Sequence, residues 1–171
     1  MTLLPDRDGV FRERRTVRVA APVDVTWSCI ADLGGAPGWY AANHLWAVRG
    51  RVDRLLGGPG LRGRPDRALR TGDPVDGWRV HDIHLGRSLT LRSEQRMPGR
   101  AFLTHEAVAA PDGASSLLEQ RLEWHPDGWR GRLLWWLELP AHVLVMRAMV
   151  RGMGVAAERR GARPDLASLL S

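Results

Sequence analysis

Residues 77–97 read Gly77-Trp78-Arg79-Val80-His81-Asp82-Ile83-His84-Leu85-Gly86-Arg87-Ser88-Leu89-Thr90-Leu91-Arg92-Ser93-Glu94-Gln95-Arg96-Met97. Apolar and polar residues alternate on either side of Gly86-Arg87, which is the pattern of two half-buried strands joined by a tight turn. Pro98-Gly99-Arg100 and Pro111-Asp112-Gly113 punctuate the downstream sequence in the same manner, so that 77–85, 88–97, 101–108 and 116–124 are four candidate strands. Connections this short cannot carry parallel crossovers, and the segment is therefore an antiparallel meander.

Working outward, Arg15 to Ala20 alternates and predicts a first strand. Ala21-Pro22-Val23-Asp24 opens a helix. Pro22 suits its first turn, and Asp24 sets a carboxylate near the positive end of its dipole. Val25, Cys29, Ile30 and Leu33 fall at helical spacing before Gly34-Gly35. A second helix is predicted from Ala41 to Leu56, and a long Gly-, Pro- and Arg-rich loop extends from Gly57 to Pro74. Beyond Pro126-Asp127-Gly128 the chain is apolar on nearly every side from Leu133 to Met149, which predicts a buried helix. Pro140 either kinks it or starts a new one. These elements define an α+β domain over 10–160, with tails at 1–9 and 161–171, the last loosely held. Its sheet has about six strands.

Composition restricts the function classes. The 171 residues suffice for one cored domain. All 25 basic residues are arginine, and the formal net charge is +6. They are spread along the length instead of forming an arm, and no recognition motif accompanies them, which argues against a nucleic-acid partner. The single Cys29 excludes an internal disulfide and agrees with a reducing, cytoplasmic setting. The N-terminus lacks an apolar signal core. Glu138, Pro140, His142 and Arg147 interrupt the apolar run, which speaks against stable membrane insertion.

Chemistry-bearing motifs are few. Gly57-Gly58-Pro59-Gly60-Leu61-Arg62-Gly63-Arg64 lacks a phosphate-loop ending, and Pro59 removes a backbone donor such a cradle needs. No cofactor is expected. His81 and His84 on one strand point to opposite faces, so no metal is expected there. His142, just past Pro140, is a candidate general base and otherwise a core histidine. Alternation turns Glu94 outward with Thr90, Arg92 and Arg96. A bulge that turned it inward would make it an acid or base with a raised pKa. Asp76, beside Trp78, is a third weak catalytic candidate. Arg49, Asp53 and Arg79 are candidates for an ion-pair network pinning the second helix to the sheet. Trp39, Tyr40, Trp46, Trp78, Trp124 and Trp135 are candidates to line an apolar ligand pocket.

The stretch Gly34-Gly35-x-x-Gly38-Trp39-Tyr40, then Trp46-x-x-Arg49-Gly50-x-x-Asp53-Arg54-Leu55-Leu56-Gly57-Gly58, through Gly72-Asp73-x-x-Asp76-x-Trp78-Arg79, resembles an uncharacterised bacterial family of the START-like (helix-grip, SRPBCC) superfamily. Glu94, Met97-Pro98-Gly99-Arg100-Ala101, Gln120 and Pro126-x-Gly128-x-x-Gly131-Arg132-x-x-Trp135-x-x-x-x-Pro140-x-His142 extend the resemblance, which covers about Val17 to Met149. It implies a curved antiparallel sheet wrapped around the last helix, with a cavity between them for a small hydrophobic molecule. The loop from Gly57 to Pro74 is expected at the cavity rim. The resemblance also implies a cyclase, dehydratase or isomerase activity as an alternative, and a partner of the NAD(P)-dependent oxidoreductase kind, since similar domains lie behind epimerase-like domains. Leu134 stands where the family tends to have Tyr, and Gln95 where it tends to have Met.

Overall fold

The structure, a computed structural model, describes residues 4–163. Strand β1 (Phe11–Val19) is followed by helices α1 (Val23–Ala31) and α2 (Asn43–Leu55). Strands β2 (Pro74–Val75), β3 (Trp78–His84), β4 (Ser88–Ser93), β5 (Gly99–Ala109) and β6 (Ser116–Pro126) come next, and helix α3 (Gly128–Gly161) closes the order. The six strands form one sheet in the order β1-β6-β5-β4-β3-β2, and each neighbouring pair is antiparallel. The meander and the helix-grip order are therefore as expected. The first strand starts four residues before the expected Arg15. The C-terminal tail expected from Gly161 lies outside the described residues beyond Arg163.

One face of the sheet carries the core. Phe11, Val19, Val80, Leu89, Leu91, Leu103, Leu118 and Leu122 are buried there, alternating with exposed or half-buried positions along each strand. Helices α1 and α3 pack on β1, β5 and β6. The hydroxyls of Thr26 on α1 and Ser116 on β6 meet at 2.7 Å, and Ser116 also donates to the Ala21 carbonyl. This buried pairing stitches helix to sheet without orphaned groups.

The expectation that Leu133 to Met149 is buried all round is wrong. Leu137 is 70% exposed and Leu144 69% exposed, with Leu133 and Trp136 also exposed. The helix runs for 34 residues, about twice the apolar stretch, and continues through Pro140. Its second half, with Met146, Met149, Val150, Met153, Gly154 and Ala157, seats on the sheet. The first half lies over a cavity, and its outer face meets solvent. By length and composition α3 could cross a membrane. Here its inward face is packed into the core.

A second correction concerns β3. A bulge between Val80 and Asp82 shifts the register. His81 and His84, expected on opposite faces, are both exposed on the outer face. His81 packs edge-on to Phe102, and His84 pairs with Asp82 at 2.9 Å.

The Gly-rich loop has a structural logic. Asp53, at the end of α2, accepts from the Gly60 amide at 2.8 Å and the Arg96 amide at 2.6 Å. A Cβ on Gly58 would stand 2.2 Å from its carboxylate, so only glycine fits there. Arg64 reaches back to the Ala31 and Leu33 carbonyls at 2.6 and 3.0 Å, satisfying acceptors at the end of α1.

Candidate functional site

Between the sheet and the first half of α3 lies a cavity of about 400 Å³. Its sheet side is Trp78, Ala101, Leu122 and Trp124, joined by Gln95 and Met97 from the connection between β4 and β5. Helix α3 supplies Leu134, Trp135, Glu138, His142, Val145 and Met146 among others, and α2 covers the opening with Leu45, Trp46 and Arg49. The alternation of β5 and β6 points Ala101 and Trp124 inward as register partners. The small Ala101 leaves the space that a larger residue would fill. Trp124 is anchored by its indole N–H, which donates to the Gly131 carbonyl at 3.1 Å. Trp135 stacks on Phe11 at 4.9 Å and is buried. The walls are thus large, rigid and apolar.

Polar groups enter this wall at two places. Arg49 bridges α2 to α3 through Glu138 at 2.6 Å and to the sheet side through Gln95 at 2.8 Å, and its second guanidinium nitrogen meets the Met97 sulfur at 3.6 Å. Gln95 thereby supplies an acceptor on this wall. A turn further along α3, His142 Nε2 lies 2.9 Å from Oε2 of Glu13. Glu13 is 3% exposed and also pairs with Arg15 at 2.7 Å. Burial alone would push the Glu13 carboxyl up. The hydrogen bond and charge of His142, with Arg15, outweigh it and hold the carboxyl below its ordinary range.

The sequence candidates divide accordingly. Trp46, Trp78, Trp124, Trp135, Arg49 and His142 are brought to the cavity. Trp39 stands behind the wall, stacked on Trp46 at 4.8 Å, and its N–H donates to Asp76 at 2.7 Å. Tyr40 donates its hydroxyl to the Cys29 carbonyl at 2.8 Å, and burial raises its pKa. Asp76 also accepts from the Gly63 amide at 3.1 Å, and its backbone has a positive φ of 53°. It is a turn residue, away from the cavity. Glu94 lies outside the cavity as well, in a cluster with Arg79 and Arg62 at 2.5 Å each. The hydrogen bond from Arg79, joined by Arg62, overrides burial and brings its pKa down to about 2, opposite to what an acid catalyst needs. Of the three ion-pair candidates, Arg49 and Arg79 pair with Glu138 and Glu94, whereas Asp53 binds backbone amides. The loop from Gly57 to Pro74 contributes nothing to the cavity wall. Arg64, Arg67 and Leu69 border instead a separate surface hollow beside the end of α1.

Glu13 and Arg15 escaped the sequence reading. Phe11, Glu13, Arg15, Val17 and Val19 share one phase, and starting the strand at Phe11 would have placed both charges on the inner face. Among the described residues, no three His, Cys, Asp or Glu side chains gather as metal ligands.

A family model described as "Protein of unknown function (DUF2867)" matches residues 7–149. The chain belongs to this family. No curated protein sequence matches this DUF2867 chain. Solved structures resemble it in fold. An aromatase/cyclase, ZhuI, from Streptomyces sp. R1128 superposes with a TM-score of 0.51 at 18% identity, covering 91% of this chain and 97% of that one. Norcoclaurine synthase from Thalictrum flavum, in complex with dopamine and hydroxybenzaldehyde, gives 0.54 at 11% identity over 90% of each chain. A protein from Nitrosospira multiformis gives 0.57 at 9% identity, covering 90% of this DUF2867 chain and all of the other. These similarities establish the helix-grip fold.

Proposed function

We propose that this domain binds a small, mainly apolar, ring-bearing molecule in the cavity between the sheet and α3. The observation that carries this reading is the cavity itself. About 400 Å³ walled by four tryptophans falls in the size range of small-molecule sites, and Arg49, Gln95 and His142 supply the few polar groups that orient a ligand. Support of a weaker kind comes from fold relatives, one called an aromatase/cyclase and one a synthase in complex with dopamine and hydroxybenzaldehyde. An oxidoreductase partner is a second role the same domain could serve by presenting its ligand.

Helix α2 behaves as a cover in this reading. Of its 13 residues only Trp46, Gly50 and Asp53 are buried, and the Arg49–Glu138 pair ties it to α3 across the opening. Ligand entry on this side breaks that pair, which is partly exposed and contributes on the order of 1 kcal/mol.

The test is a thermal-shift and tryptophan-fluorescence screen over fatty acids, polycyclic aromatic ketones and phenols, and nicotinamide and flavin cofactors. A true ligand at a hundredfold excess over Kd stabilises the fold by about 2.7 kcal/mol. For a chain of this length that corresponds to a rise in Tm of roughly 5–11 °C. Fluorescence should change at the same concentrations, since four tryptophans line the site. Concentration-independent melting across the whole panel would contradict the reading.

A further inference from the structure

The cavity contains a histidine whose orientation is set from outside the cavity. His142 lines the wall, and its Nε2 faces the Glu13 carboxylate on β1 at 2.9 Å. An ionised carboxylate only accepts, so Nε2 carries the shared proton. In its neutral form the ring keeps its lone pair on Nδ1, for which no protein hydrogen bond exists among the described residues. Burial and two contacts fix this arrangement. The Glu13 side chain is 1% exposed, Arg15 holds the same carboxylate oxygen at 2.7 Å, and the Trp135 ring packs against the imidazole at 5.4 Å.

The second half of the arrangement is a cationic donor on the same wall. Glu138 precedes His142 by four residues, so the two share a face of α3 with Cβ atoms about 5–6 Å apart. Glu138 holds Arg49, whose Nη2 meets the weak acceptor sulfur of Met97 and keeps a second N–H. A proton acceptor on α3 and a guanidinium on α2 thus line one mainly apolar cavity. A ketone offers one group to each, its carbonyl oxygen to the cation and an acidic α-C–H to the base.

We propose that His142, positioned by Glu13, is a general base that removes a proton from the carbon next to a carbonyl of a cyclic aromatic ketone, with Arg49 facing the carbonyl oxygen. The step needs no co-reactant. The proton leaves the α-carbon for Nδ1. The C–H electron pair becomes the carbon–carbon double bond of an enolate, and the carbonyl π pair moves to oxygen beside Arg49. The resulting imidazolium faces Glu13, which stabilises it. Return of the proton to the oxygen or to another carbon of the same system regenerates the imidazole, and the net reaction is an isomerisation. The inference rests on the ligand-binding reading of the same cavity.

The experiment tracks loss of the α-CH signals of 1-indanone and 1-tetralone by proton NMR in D2O, with Kd measured on the same samples by tryptophan fluorescence. The wild type should exchange these protons saturably, faster than an equal concentration of free imidazole. His142→Gln should still bind each ketone measurably, so that exchange is read at saturation, and there exchange falls by 10²–10⁴, the usual range for a general base. Glu13→Gln should lower the rate at saturation at least tenfold with Kd unchanged, a split that a purely structural role would not produce. Ketone bound with no exchange above the imidazole control, or exchange unchanged in His142→Gln, overturns the base while leaving ligand binding intact. Failure of either ketone to bind, alongside positive hits elsewhere in the ligand screen, overturns the ketone assignment alone. No hit anywhere in that screen removes the ligand-binding reading and the base with it.

Discussion

Trp135→Ala is expected to lower the free energy of unfolding by about 3–5 kcal/mol, the range for truncating a large buried aromatic. The side chain is 6% exposed. It stacks on Phe11 at the start of β1, packs against the His142 ring, and forms part of the cavity wall. Removing it leaves Phe11 without its stacking partner and merges the vacated volume with an existing cavity. The surroundings are therefore poorly placed to collapse, which puts the cost high in the range for such a change. Urea denaturation measures it as a lower midpoint at unchanged m-value. A loss under about 1 kcal/mol would show that the ring is not packed as described.

Acid should destabilise the fold well before the carboxylates titrate. His105 on β5 is fully buried, and that burial lowers its pKa from 6.5 to about 3. Its Nε2 lies 3.1 Å from Gln120 on β6, and no charged partner compensates it. The folded pKa is depressed, so the neutral ring's contribution is fully present above pH 6.5. It is lost as pH falls from 6.5 toward 3, because the unfolded chain takes up a proton the fold refuses. The slope is about 1.4 kcal/mol per pH unit for one proton. Glu13 and Glu94, whose pKa values are also lowered, add to the loss only below their ordinary value of 4.5. The window from 6.5 to 4.5 therefore isolates the histidine contribution. Replacing both partners, His105→Leu with Gln120→Leu, removes the buried polar pair without orphaning either half. The double variant should lose about one proton's worth of slope in urea titrations across that window. An unchanged slope would show that His105 is not the buried neutral group responsible.

The fold was legible because its turns are written in Gly and Pro. Gly86-Arg87, Pro98-Gly99 and Pro111-Asp112-Gly113 separate strands whose alternation is nearly unbroken, and the observed β3 to β6 obey that punctuation. Two kinds of information were not legible. A bulge at His81 inserts one residue without any change in composition, and it reverses the face of every position after it. The burial of α3 was misjudged because an all-apolar helix looks the same whether it lies on a core or over a cavity. The space under Leu134 to Met146 depends on Ala101 and on the width of the Trp78 and Trp124 rings, which are properties of three strands together.

The site was legible in its residue types and not in its pairings. Trp46, Trp78, Trp124 and Trp135 were named as wall candidates from their size and apolar character. Glu13 is 129 residues from His142, and only closure of β1 against α3 joins them. Glu94 and Asp76 carried the right chemistry for catalysis, yet local partners claim them. Arg79 and Arg62 take the first, and the Trp39 indole and the Gly63 amide take the second. Arg64 shows the same effect in the loop, where its guanidinium serves the end of α1 in place of a ligand.

The central claim is that the space between the sheet and the first half of α3 is a ligand site. Ala101 faces that space from β5 and is small. Ala101→Phe would occupy part of the cavity at modest cost to packing, because the added ring enters open volume instead of a filled core. The decisive measurement is the Kd of the best screening hit for wild type and Ala101→Phe by fluorescence titration, with circular dichroism confirming the fold. A loss of tenfold or more in affinity with the fold retained is the predicted result. Equal affinity in the two proteins would place the ligand elsewhere and contradict the claim.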